Sequence, residues 1–170
     1  QGWPLDFEAP TGGRSMIVRS KDGGRTWSPP QTLIDLPLDD GACGLLRCPD
    51  GTLICTVSVQ SSWYGFSKAP AGFEDDINGL NTQQCIIRST DDGKSWSEPI
   101  WIKSPGSFYE RSQLQPILLP NGSILWSTYF SNQNSPRLYG AIHRSDDSGK
   151  SWRLVSTISR KGDTADVAST

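Results

Sequence analysis

Three groups of side chains in this 170-residue sequence have the make-up of a carbohydrate site. Tyr109 and Glu110 follow Phe108 just ahead of a strand-forming stretch. Asp39 and Asp40 hold the equivalent place one repeat earlier. The segment 60–82 carries Trp63, Tyr64, Phe66, Phe73, Glu74, Asp75 and Asp76. Aromatic rings stack on the apolar face of a sugar, and a few placed carboxylates accept from its hydroxyls. Carboxylates on either side of a glycosidic bond are also the usual means of cleaving it. A plainer reading stands beside this one, in which the long segment covers its own sheet and its acids face water.

Other chemistries are poorly served. His143 is the only histidine, which leaves zinc almost no ligands. Cys43, Cys48, Cys55 and Cys85 are separated by 5, 7 and 30 residues, which matches no CxxC-type metal site. Two or more buried free thiols is the plain reading, and a disulfide would leave several pairings open. No metal and no cofactor is implied. Sixteen basic and 18 acidic residues give a net charge of −2, and basic runs stop at pairs such as Arg160-Lys161. That argues against a nucleic-acid groove or a polybasic membrane contact. No stretch approaches the ~18 apolar residues of a spanning helix. No signal peptide is visible, and with Gln1 opening the sequence this leaves location open.

The elements that must position these groups are legible as repeats. Ser20-Lys-Asp-Gly-Gly-Arg-Thr-Trp27 recurs as Ser89-Thr-Asp-Asp-Gly-Lys-Ser-Trp96 and as Ser145-Asp-Asp-Ser-Gly-Lys-Ser-Trp152. Asp and Ser bond locally to backbone, Gly permits a positive φ, and the Trp ring covers the turn. A β-prone run precedes and follows each copy, so each predicts a hairpin. Between copies, Leu45–Ile54 parallels Ile117–Trp126, each a short strand, a Pro-Asp/Asn-Gly turn and a second strand. Asn121-Gly122-Ser123 in that turn is also a formal glycosylation sequon. The unit is therefore four antiparallel strands. Repeated radially, such units make β-propeller blades.

With 17 Gly, 12 Pro and 7 Trp, the composition suits a folded, turn-rich, all-β chain. The expected organisation is a single partial propeller domain over 1–170. Blade one contributes its outer strands, 14–36; blade two runs 42–102 and blade three 113–159. Loops at 35–42, 60–82, 103–112 and 130–137 lie on the face opposite the repeated turns. Gly51 to Asp91 spans 40 residues against 25 from Gly122 to Asp147, so the blade-two loop is about 15 longer. Glu110 is the best single pocket residue, because the start of an inner strand points near a propeller's axis.

The Ser-x-Asp-x-Gly-x-[Thr/Ser]-Trp repeat resembles the Asp-box, or bacterial neuraminidase repeat, of sialidase-like six-bladed propellers. Its three copies and their flanking strands cover nearly the whole chain. The resemblance implies structural turns on the rim, away from the family's active site. They are built by Ser20, Asp22, Gly24 and Trp27, by Ser89, Asp91, Gly93 and Trp96, and by Ser145, Asp147, Gly149 and Trp152. Tyr109-Glu-Arg-Ser-Gln-Leu114 followed by Leu119-Pro-Asn-Gly-Ser-Ile-Leu125 is similar to the family's Asn-Glu-x-Gln, strand, Asp-Gly-Ser-Leu-Leu stretch. There the Glu lies in the substrate pocket. A carboxylate-binding Arg of that family falls, in register, on Tyr129 here, with Arg137 nearby in a loop. Sialidases use a Tyr nucleophile paired with a Glu, plus an acid/base Asp; Tyr109 and Tyr129 qualify by type. Gln115-Pro116 also resembles a related, less characterised group.

Two and a half to three blades cannot close a six-bladed ring. An open arc leaves unpaired strand edges and lacks neighbour burial. The remaining blades are expected from the rest of a longer chain or from a second copy related by symmetry. The implied function is a sialidase-like glycoside hydrolase acting on terminal sugars of glycans, secreted or at the cell surface or periplasm. Most of its catalytic residues then lie outside this chain. The alternative is a non-catalytic propeller that binds carbohydrate or protein.

Overall fold

The computed structural model describes residues 13–36, 39–60, 82–112, 114–132 and 138–158, all as strand, turn or irregular chain with no helix among them. Two compact units divide it: Gln1–Ala42 with Val59–Leu80, and Cys43–Ser58 with Asn81–Thr170.

In the first unit, β1 (Ser15–Ile17) pairs antiparallel with β2 (Gln31–Ile34) around the first repeated turn. Asp40 closes the end of this unit. Its N–H donates to the Gly13 carbonyl at 2.8 Å, its carbonyl accepts from Ser15 Oγ at 3.2 Å, and its Oδ2 accepts from Leu36 N at 2.5 Å.

The strands that follow form two larger sheets. One has the order β3 (Asp39–Arg47), β4 (Leu53–Gln60), β5 (Thr82–Ser89), β6 (Ile100–Ile102). The other runs β11 (Arg153–Thr157), β10 (Tyr139–Ser145), β9 (Ile124–Asn132), β7 (Ser107–Arg111), with β8 (Ile117–Leu118) also on β9. Pro116 lies between β7 and β8 and offers no N–H to a ladder, so this strand comes in two pieces.

Three expected loops are therefore partly strand. β3 begins at Asp39, β7 occupies Ser107–Arg111, and β9 continues to Asn132. Alternation explains the middle case: Tyr109 and Arg111 leave β7 on one face and Glu110 on the other.

Period-2 burial on β9 sets the core. Ile124, Trp126, Thr128 and Phe130 are buried; Leu125, Ser127 and Tyr129 are half-exposed. Ile124 and Trp126 join Cys48, Ile54, Ile86 and Ile102, with Leu46, Ile100 and Trp152 against them. Trp126 Nε1 donates to the Leu114 carbonyl at 2.9 Å, which satisfies its buried N–H. Cys48, Cys55 and Cys85 are buried.

The repeated turns share one hydrogen-bond pattern. Ser20 Oγ donates to Asp22 Oδ1 at 2.7 Å and accepts from Gly24 N at 2.8 Å. Ser89 and Ser145 do the same, with Asp91 and Gly93 and with Asp147 and Gly149. The same Asp accepts from the backbone and hydroxyl of Thr26, Ser95 or Ser151. Thr26 and Ser95 thereby hold the Asp22 and Asp91 carboxyls far below the usual range. At Asp147 burial opposes this, but the Ser151 hydroxyl and backbone outweigh it.

The second repeat is equally regular. Thr52 N donates to Asp50 Oδ1 at 3.0 Å, and Ser123 N to Asn121 Oδ1 at 3.1 Å, with Gly51 and Gly122 at φ of 86° and 84°.

Candidate functional site

The site is built from β7 and β9. Their antiparallel register sets Glu110 opposite Phe130 and Arg111 opposite Tyr129. Directly paired residues share a face. Glu110 therefore lies with Thr128 and Phe130 on the buried side, and Tyr109, Arg111 and Tyr129 lie on the other.

Glu110 is 2% exposed. Its Oε2 accepts from Ser104 N at 2.6 Å. Its Oε1 accepts from Ser104 Oγ at 2.9 Å and Thr128 Oγ1 at 2.7 Å, and lies 3.0 Å from His143 Nε2. His143, from β10, is as deeply buried. Gln84, from β5, donates its Nε2 to the Glu110 carbonyl at 3.0 Å. Burial alone would raise the Glu110 carboxyl. Hydrogen bonds from His143, the Ser104 backbone and Thr128 outweigh it and hold the group below its ordinary value. The result is an ionised carboxylate whose oxygens are occupied by the protein. Ser104 belongs to the connection between β6 and β7, so this carboxylate ties that connection to β9 and β10.

The other face of β7 is more open. Tyr109 and Tyr129 rings stand 6.1 Å apart, tilted by 42°. Burial, then the hydrogen bond and charge of Tyr109, push the Tyr129 hydroxyl up to about 12, with Arg111 opposing. Tyr129 is thus a neutral phenol across the physiological range, suited to hydrogen bonding and poorly suited to nucleophilic attack. The Arg111 Nε–H is buried and has no hydrogen-bond partner among the described residues. A guanidinium with a spare donor, flanked by two phenols, is equipped to receive an anionic or hydroxyl oxygen beside an aromatic surface.

Asp40 is buried in its own unit, and Asp39 opens β3. Trp63, Tyr64, Glu74, Asp75 and Arg137 lie outside the described residues. Sequence reasoning missed Ser104, Thr128, His143 and Gln84, whose types are ordinary and which stand 6, 18, 33 and 26 residues from Glu110. Arg111 had a usable signal: it stands two residues after Tyr109 in a stretch with strand alternation.

Comparison with known proteins agrees with this architecture. The BNR/Asp-box repeat family model matches residues 18–29, the first of the repeated turns. A protein named Sialidase, from Bacteroides fragilis (strain YCH46), is 27% identical over 159 residues, covering 81% of this chain and 28% of its own length. The chain thus spans well under a third of that curated relative. A crystal structure of a protein of unknown function from Dyadobacter fermentans DSM 18053 superposes with a TM-score of 0.66 at 24% identity. It covers 88% of this chain and 45% of its own, a likeness of fold. Repeated turn, family model and curated relative all support a likeness to the sialidase-like BNR-repeat proteins.

Proposed function

We propose that this chain forms part of a sialidase-like β-propeller directed at terminal sugars of glycans, with Tyr109, Arg111 and Tyr129 as its share of the sugar-contacting surface. In this reading β3–β6 and β7–β11 are two blades, and β1–β2 is the outer half of a third. The rest of a longer chain, or a second copy, completes the ring and carries most of the hydrolytic residues. The observation that carries the reading is the unpartnered Arg111 Nε–H beside two half-buried tyrosines. A buried charged donor left unsatisfied costs about 1–3 kcal/mol or more, so a turn of the half-buried Arg111 side chain that brings Nε–H to a ligand oxygen recovers that cost.

The enclosure of Glu110 and the raised Tyr129 favour a second reading, a propeller that binds glycans without cleaving them. Binding of sialyllactose and turnover of a fluorogenic α-sialoside test both. Arg111→Ala should lose at least about tenfold in affinity or kcat/KM, the worth of one charge-assisted hydrogen bond, with Tm nearly unchanged. Turnover supports the hydrolase; binding without turnover selects the second reading. An unaltered Arg111→Ala, or no recognition of either probe by the wild type, overturns the proposal.

A further inference from the structure

We infer that Glu110 is a positioning residue: its buried carboxylate, held by Ser104, Thr128 and His143, sets β7 so that Tyr109 and Arg111 meet Tyr129. This deepens the glycan-contact reading of those three residues and rests on it.

The geometry points this way in three respects. First, Glu110 stands between Tyr109 and Arg111 on a strand only five residues long, so any shift of its backbone moves both neighbours. Second, it is held at both ends. Side-chain bonds reach back to Ser104 before the strand and across to β9 and β10, while Gln84 of β5 holds its carbonyl. Third, little else fixes β7. It lies at the edge of its sheet order, its register with β9 shifts between Ser107 and Tyr109, and the strand stops before Pro116. A recognition group needs its own support to hold productive geometry, and support by a charged, fully occupied hydrogen-bond network is stiff because the group cannot move without losing several partners at once. The side-chain hydrogen bonds of Glu110 go to Ser104, Thr128 and His143, on the face of β7 opposite Tyr109 and Arg111, so it acts through the strand.

The test uses Glu110→Gln and the milder Thr128→Val, which removes one hydroxyl donor at nearly constant shape. Both are studied in the full chain well below their melting temperatures. Two readouts are taken. One is sialyllactose affinity. The other is the ring-carbon NMR signal of Tyr129 in 13C-tyrosine-labelled protein, titrated up to pH 11 and assigned with Tyr129→Phe. The wild-type Tyr129 signal should stay protonated through pH 11, in line with its raised value of about 12. In folded Glu110→Gln it should titrate earlier, toward the ordinary tyrosine midpoint of about 10. Affinity should fall at least fivefold although Arg111 and both tyrosines are intact. Thr128→Val should move both readouts in the same direction by less, and it keeps the test open where Glu110→Gln does not fold. Wild-type values of both readouts in a folded variant overturn the positioning role. A displaced Tyr129 titration in a protein whose wild type ignores sialyllactose upholds positioning and sinks the glycan reading. Lost affinity in Arg111→Ala alone, with both positioning variants unchanged, does the reverse.

Discussion

Gly149, in the third repeated turn, lies directly against Ile54 of β4: a Cβ added there would stand 2.6 Å from Ile54 Cδ1. Its φ of 79° is also in the left-handed region. Gly24, the same position in the first turn, has a φ of 88° but meets only a Trp27 ring carbon at 3.6 Å. Gly24→Ala should therefore cost about 1–2 kcal/mol, the left-handed penalty alone. Gly149→Ala adds overpacking of about 1–3 kcal/mol and should cost about 2–5 kcal/mol in all. Urea denaturation measures both, and equal losses would show that the Ile54 contact carries no weight.

The tryptophans that end the turns are chemically alike and energetically different. Trp27 and Trp152 each donate Nε1 to a turn carbonyl at 3.1 Å. Trp27 is 60% exposed, whereas Trp152 meets the buried Trp126 edge-on at 6.3 Å. Trp152→Ala should destabilise by about 2–4 kcal/mol, somewhat under a fully buried aromatic. For Trp27→Ala a loss below about 1 kcal/mol is expected. A larger loss at Trp27 in thermal or chemical melts would mean that the exposed ring is covered in the folded protein.

Acid should unpick the Glu110 network. Its folded value is depressed, so the stability it contributes is fully present above the ordinary glutamate value of about 4.3 and is lost as pH falls through the lower folded value. A hydrogen bond to a charged group is worth about 1.5–3 kcal/mol, and Glu110 accepts from Ser104 and Thr128, so Glu110→Gln should be clearly weaker at pH 7. The gap between wild type and variant should narrow below about pH 4. Asp22, Asp91 and Asp147 are depressed as well, but they are common to both proteins and cancel in the difference. A gap that stays constant from pH 7 to 3 would show that Glu110 is not ionised in the fold.

How much of this was readable without coordinates depends on how far the relevant contact reaches. The turns at Ser20, Ser89 and Ser145 were legible because the Ser and Asp bonds that define them span two to four residues. The Pro-x-Gly hairpins were legible for the same reason. Glu110 was named from the sequence as a pocket residue, but its surroundings were not legible. Its partner His143 is 33 positions away on another strand, and only the strand register brings them to 3.0 Å. The single-residue alternation that buries Glu110 and turns Arg111 the other way was masked by a loop assignment. Pro116 breaks the strand, and a five-residue fragment shows little period of its own.

Because the Ser and Asp bonds that define each repeated turn close within it, a turn can take shape before its outer contacts, such as Arg88 Nε on the Ser148 carbonyl, are made. Closing so short a loop costs little entropy, and local contacts form ahead of distant ones. The three turns are thus natural starting points for folding, and each hairpin can zip from its turn before its sheet finds a neighbour. The Glu110 network, joined across 33 residues, belongs to the last stage, when β7 is drawn against β9 and β10. The element that presents Arg111 is then also the one that closes last and opens first.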